Sequence, residues 1–193
     1  METNMKIFYS SKLNNPYDSW QTFVHVMNTH LGIPADTEVL RTSGGKPFFM
    51  RYPDIHFSVS HTKNHWLCIF CDVPVGIDAE LCSRKIHNSE KILDRFFSEN
   101  ERRSIKDSTD PGYEMISVWT QKEACLKMKG QGVFKDMKYL DVKAPEAKEV
   151  YLQTVTDTAD GEDSLIITVC TAGETGYTDL EIINIDKEIS DVR

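Results

Sequence analysis

Val75-Gly76-Ile77-Asp78-Ala79-Glu80 is a short apolar run carrying two acids, and it reads as a β-strand. Residues two apart on a strand share a face, so Asp78 and Glu80 point one way while Ile77 and Ala79 point the other way, into a core. Two carboxylates side by side repel each other, and in a cleft they call for a cation or a proton between them. Further along, Trp119-Thr120-Gln121-Lys122-Glu123-Ala124-Cys125-Leu126-Lys127 reads as a helix and offers a third carboxylate, Glu123. Three hard oxygen ligands from two elements, with lysines alongside, suit a Mg²⁺ ion that also holds a substrate phosphate. Any one acid alone reads better as a solvated strand end, or, for Glu123, as the partner of Lys127 one helical turn on. The constellation, not the single residue, carries the metal reading.

Outward from that strand the chain alternates irregularly between strands and helices. Lys6–Tyr9 reads as a first strand. Tyr17–Leu31 carries Trp20, Phe23, Val24, Met27 and Leu31 at the helical period and is stopped by Gly32 and Pro34. Ile55–Ser60 and Trp66–Phe70 read as strands joined by a polar turn at Thr62–Asn64. Asp72-Val73-Pro74 interrupts the chain and divides it into an N-terminal lobe, 1–74, and a C-terminal lobe, 75–193. Ser98-Glu99-Asn100-Glu101 fits a capping box, and Tyr113–Met128 is the strongest helix. Strands are expected over Val150–Thr156, Ser164–Thr171 and Tyr177–Ile185, with turns at 161–163 and 172–176. Strands and helices without regular βαβ alternation give an α+β fold.

The chain of 193 residues is 40% hydrophobic and 27% charged, as a soluble globular protein is. No apolar run is long enough to span a bilayer. Five cysteines at irregular spacing, and an N-terminus without a basic leader and apolar stretch, point to reduced thiols and a cytoplasmic setting. The net charge of −8 is concentrated in residues 144–193, which hold twelve acids against three bases. A solubilising face is the simpler reading of that excess. No clustered basic face suggests nucleic acid, and no membrane partner is expected.

Several smaller motifs flank the acids. Ser60 and His61 leave a strand where a ligand could sit; hydroxyl and imidazole donors to a phosphate compete evenly with an ordinary polar turn. Gly44-Gly45-Lys46-Pro47 offers flexible backbone and a cation but lacks Walker spacing, so a plain loop is the simpler reading on its own. Trp119, Glu123 and Lys127 stack on one helical face, with Trp119 read as a core anchor and Lys122 off that face. Cys68-x-x-Cys71, with Cys82 and His87 later, invites zinc, but the apolar run Trp66–Phe70 makes Cys68 a core residue.

Taken together, Gly45-Lys46-Pro47, Phe57–His61, Val75–Glu80, Phe96–Glu101 and Trp119–Lys127 resemble the 4'-phosphopantetheinyl transferases, specifically the single-chain, two-lobed surfactin-synthetase-activator type. The resemblance covers about residues 41–135. It implies a pseudo-twofold pair of similar α/β lobes with coenzyme A and Mg²⁺ between them. The implied reaction transfers the phosphopantetheine arm to a serine of an acyl, peptidyl or aryl carrier protein and releases 3',5'-ADP. Asp78, Glu80 and Glu123 then resemble the metal ligands. Lys46, Ser60, His61 and Lys127 resemble contacts to the coenzyme's phosphates. Glu123 is expected as catalytic base, with Lys127 steadying the leaving phosphate. Larger relatives carry a basic N-terminal segment for the coenzyme's 3'-phosphate. Residues 1–40 hold only Lys6 and Lys12, so Arg41 is expected to substitute. Arg84, Lys85 and Ile86 are candidates for carrier docking, in balance with a plain solvated helix start. Two lobes in one chain are compatible with a monomeric active unit. The competing reading is a catalytically silent module of the same fold that binds coenzyme A or a nucleotide.

Overall fold

The computed structural model describes residues 5–13, 16–86, 89–131, 137–144, 150–157, 164–172 and 180–190. The expected turn at 161–163, most of that at 172–176, residues 177–179 of the last expected strand, and His87 lie outside them. The fold is α+β. A four-stranded sheet has the order β4-β5-β1-β9, and a three-stranded sheet the order β6-β8-β7. The first contains β1 (Met5–Ser10), β4 (His56–Thr62), β5 (His65–Cys71) and β9 (Leu180–Asn184). The second contains β6 (Val75–Leu81), β7 (Val150–Asp157) and β8 (Leu165–Ala172). A hairpin of β2 (Val39–Arg41) and β3 (Pro47–Phe49) presents Gly44-Gly45-Lys46 at its tip.

The helices follow the apolar periods. α1 (Pro16–Leu31) turns Phe23, Val26 and Met27 into a core with Phe57 and Trp66 of the first sheet and Phe49 of the hairpin. α2 (Ser89–Phe96) and α3 (Glu99–Asp107) lead into α4 (Pro111–Lys129), with Pro111 at its first turn and Gly130 as a left-handed C-cap. The capping box before α3 is present, with Ser98 and Glu101 bonding reciprocally. α5 (Asp186–Ser190) closes the described chain. β9, placed with the second lobe on sequence grounds, instead returns to the first sheet and pairs parallel with β1. Among the described residues no helix is long and apolar enough to cross a membrane.

β6 decides where the functional side chains stand. Ile77 and Ala79 enter a core shared by both sheets with Ile7, Ile69, Ile167 and Val169, as the alternation requires. β8 pairs with one edge of β6. The other edge meets β4 through serine hydroxyls: Ile77 N–H donates to Ser58 Oγ at 3.0 Å and Ala79 N–H to Ser60 Oγ at 3.2 Å. The backbones of β6 and α4 touch at Gly76, where an added Cβ would fall 2.0 Å from Ala124 O. Glycine is therefore required there for the helix to lie this close.

Candidate active site

Asp78 and Glu80 share the face of β6 opposite Ile77 and Ala79, as the period demands. Asp78 is buried, and its Oδ1 accepts from Ser60 Oγ at 2.9 Å and from Lys127 Nζ at 2.7 Å. Its Oδ2 is buried without a hydrogen-bond partner. Glu80 accepts from Thr62 Oγ1 at 3.0 Å and pairs with Arg84. The hydroxyls of Ser58, Ser60 and Thr62 thus form a row along β4 facing β6. Their two-residue spacing in Phe57-Ser58-Val59-Ser60-His61-Thr62 is visible in the sequence.

Glu123 lies on α4, one turn before Lys127. Burial and then the neighbouring charge of Asp78 push its carboxyl up to about 7, against the pull of Lys127, the Trp119 indole and Arg84. Lys127 does not pair along the helix with Glu123. Its ammonium reaches across to Asp78, Ser60 Oγ at 3.2 Å and Ile77 O at 3.0 Å. Trp119 packs edge-on against Phe96, with ring centroids 5.7 Å apart, as the core anchor expected.

A cavity of about 440 Å³ opens with Lys127 in its wall. Arg41, Lys46, His61 and Lys127 line it, together with Trp20 and the hairpin tip. The structure therefore brings four of the five expected coenzyme contacts to one wall system. Ser60 stands behind it: its hydroxyl donates to Asp78 and accepts from Ala79 N–H and Lys127, which occupies all its bonding capacity. Lys46 also differs from expectation, because its ammonium donates to Val75 O, Lys127 O and Met128 O. Arg41 crosses the hairpin, donates to Gly45 O at 2.8 Å, and remains exposed.

The donor set fits a divalent cation. Asp78 has an orphaned buried oxygen, and Glu123 is raised partly by Asp78's charge, a repulsion that a cation between them would relieve. Among the described residues, however, no three His, Cys, Asp or Glu side chains are already gathered closely enough to hold a metal. Lys127 occupies Asp78, and Arg84 occupies Glu80. Cys68 is buried among apolar residues, as read from the sequence.

The pair least expected from the sequence is Glu101 with Lys122. Both are fully buried, with Lys122 Nζ 2.6 Å from Glu101 Oε2. This places Lys122 on the inward face of α4, tying α3 to it.

A family model described as the 4'-phosphopantetheinyl transferase superfamily matches residues 74–170. The chain is 31% identical over 111 residues to 4'-phosphopantetheinyl transferase Sfp of Bacillus subtilis, covering 56% of this chain and 48% of that protein. It is 34% identical over 107 residues to 4'-phosphopantetheinyl transferase gsp of Aneurinibacillus migulanus, covering 54% and 43%. Over 136 residues it is 29% identical to 4'-phosphopantetheinyl transferase HetI of Nostoc, covering 67% and 56%. The chain spans about half the length of the curated relatives it matches.

Proposed function

The chain belongs to the 4'-phosphopantetheinyl transferase superfamily, and we propose that it moves the phosphopantetheine arm of coenzyme A onto a serine of an apo carrier protein. The observation that supports this reading is Lys127, which lines a cavity with Arg41 and His61 and bonds Asp78, whose charge in turn helps raise the carboxyl of Glu123. The carrier's serine oxygen forms a bond to the β-phosphorus of the coenzyme's pyrophosphate. The bond from that phosphorus to the bridging oxygen breaks, and 3',5'-ADP leaves. Glu123 takes the serine's proton, directly or through a water. Lys127, drawn in by Asp78, faces the leaving phosphate with its charge. Asp78, Glu80 and Glu123 are the side chains that would hold Mg²⁺, which when bound supplies charge neutralisation at the pyrophosphate oxygens. The setting is cytoplasmic and the active unit a monomer. Chromatographic identification of 3',5'-ADP formed in step with carrier modification tests the reaction. A product other than 3',5'-ADP would exclude it.

Arg41 is the cation assigned to the 3'-phosphate. Arg41→Ala should weaken coenzyme A about tenfold, the worth of a charge-assisted hydrogen bond, while leaving dephospho-coenzyme A nearly unchanged. Titration calorimetry with both ligands decides it, and equal weakening of the two would dismiss the assignment.

Magnesium should stabilise the protein in a pH-dependent way. Glu123 has a folded pKa raised from 4.5 to about 7. Its contribution to stability is complete below its unfolded value and is lost as pH rises through about 7. A cation at the acids removes that penalty where Glu123 is ionised. Thermal unfolding should therefore show a larger Mg²⁺-induced rise at about pH 8 than at about pH 5.5, at matched ionic strength. An equal rise at both would place the ion elsewhere.

A further inference from the structure

Lys46 sits where the hairpin tip of the first lobe meets the end of the helix carrying Glu123 and Lys127. An α-helix leaves its last carbonyls without intrahelical partners. At the end of α4, Gly130 N–H reaches Leu126 O and Lys127 O, and Gln131 N–H reaches Leu126 O at 3.0 Å. Lys46 Nζ adds two further donations to this end, to Lys127 O at 3.0 Å and Met128 O at 2.7 Å. Its third proton goes to Val75 O, at the start of β6, at 3.0 Å. An ammonium has three protons, and all three are thereby directed at backbone. Its charge also opposes the negative end of the helix dipole.

The surrounding backbone is shaped for this contact. An added Cβ at Gly44 would fall 1.8 Å from Gly130 O, so the hairpin tip lies directly on the helix end. Gly130 has φ +68°, and an added Cβ there would meet the Lys46 stem at 3.3 Å. From the same last turn of α4, Lys127 reaches back to Asp78 and Ser60. Two lysines thus cross the junction in opposite directions, one ending on backbone and one on Asp78. Burial lowers the Lys46 ammonium to about 8, consistent with a cation enclosed by carbonyls.

We infer that Lys46 is a positioning residue that caps α4 from another lobe and ties it to β6, so that Lys127 is held at Asp78, and that it is not a ligand for the coenzyme's phosphates. The kinetic consequence rests on the transfer reaction proposed above; the placement of the ammonium does not. Lys46→Met keeps the length of the stem and removes every donor. It should lower kcat for carrier modification about tenfold or more, while KM for coenzyme A and Kd for 3',5'-ADP stay within about threefold. Because the effect runs through Lys127, the double variant Lys46→Met, Lys127→Met should be no slower than Lys127→Met alone. A Kd for 3',5'-ADP weakened tenfold or more with kcat unchanged would overturn the inference.

A second measurement needs no variant that must remain active. In ¹⁵N-lysine-labelled wild-type protein, the Lys46 ammonium should exchange slowly and keep its chemical shift when 3',5'-ADP saturates the site, while Lys127 shifts. A Lys46 shift as large as that of Lys127 would overturn the inference even if Lys46→Met does not fold. Wild-type protein that binds coenzyme A but modifies no carrier would remove the proposed reaction and leave the slow-exchange result to judge Lys46 separately.

Discussion

Glu123→Gln is expected to lower turnover by about a hundredfold or more, the usual scale for losing a general base, with a smaller loss of coenzyme A affinity. Glutamine keeps the length and hydrogen-bonding plane of the side chain but cannot take the serine's proton or offer a charged oxygen to a cation. The reason to single out Glu123 among the acids is electrostatic. Asp78 and Glu80 already have cationic partners in Lys127 and Arg84. Glu123 instead holds its proton up to about 7, through burial and the charge of Asp78. A base must be ionised, so wild-type activity should fall as pH drops through that value. A bound cation would move the fall to lower pH. Single-turnover kinetics across pH 5–9 should show this acid limb in the wild type and none in Glu123→Gln. Turnover near normal would remove Glu123 from the proton transfer.

Lys122→Ala is expected to destabilise the protein by about 3–5 kcal/mol, because it strands a buried carboxylate. For a chain of this size that corresponds to a fall in Tm of roughly 10 °C or more. Glu101 Oε1 accepts from Lys122 at 2.8 Å and from Val142 N–H at 3.0 Å, while Oε2 accepts from Ser98 N–H at 2.8 Å. Without Lys122 the two backbone donors remain, but the charge has no counterion. The effect should appear in thermal and urea unfolding alike. The double change Glu101→Gln, Lys122→Met should recover part of the loss, because it removes both charges together. A loss below about 1 kcal/mol for Lys122→Ala would mean that water reaches Glu101 and the pair is not dry.

These residues also mark how far the sequence can be read. Asp78 and Glu80 were legible because strand alternation is strict and Ile77 and Ala79 declare the buried face. The capping role of Glu101 was legible because Ser98 precedes it at the right spacing. Its second role was not, because pairing with Lys122 depends on how α3 packs on α4, and no local pattern encodes that distance. Lys122 lies one residue off the Trp119–Glu123–Lys127 stripe, so that stripe does not declare its partner. The inward face, with Thr120 and Lys122 fully buried, is partly polar and hides its periodicity. The partner of β9 is not legible in the sequence for a related reason: strand character is local, whereas a parallel partner such as β1 is a long-range choice. Lys46 shows the limit most sharply. A lysine after two glycines suggests an anion, but the carbonyls it meets come from residues far along the chain.

The most direct measurement is the intact mass of an apo carrier protein incubated with this protein, coenzyme A and Mg²⁺. The expected result is a gain of one phosphopantetheine arm on the carrier, abolished by EDTA and absent with Asp78→Ala. Coenzyme A bound at the cavity without any gain, across acyl, peptidyl and aryl carriers, would contradict the transferase and leave a silent coenzyme-binding module.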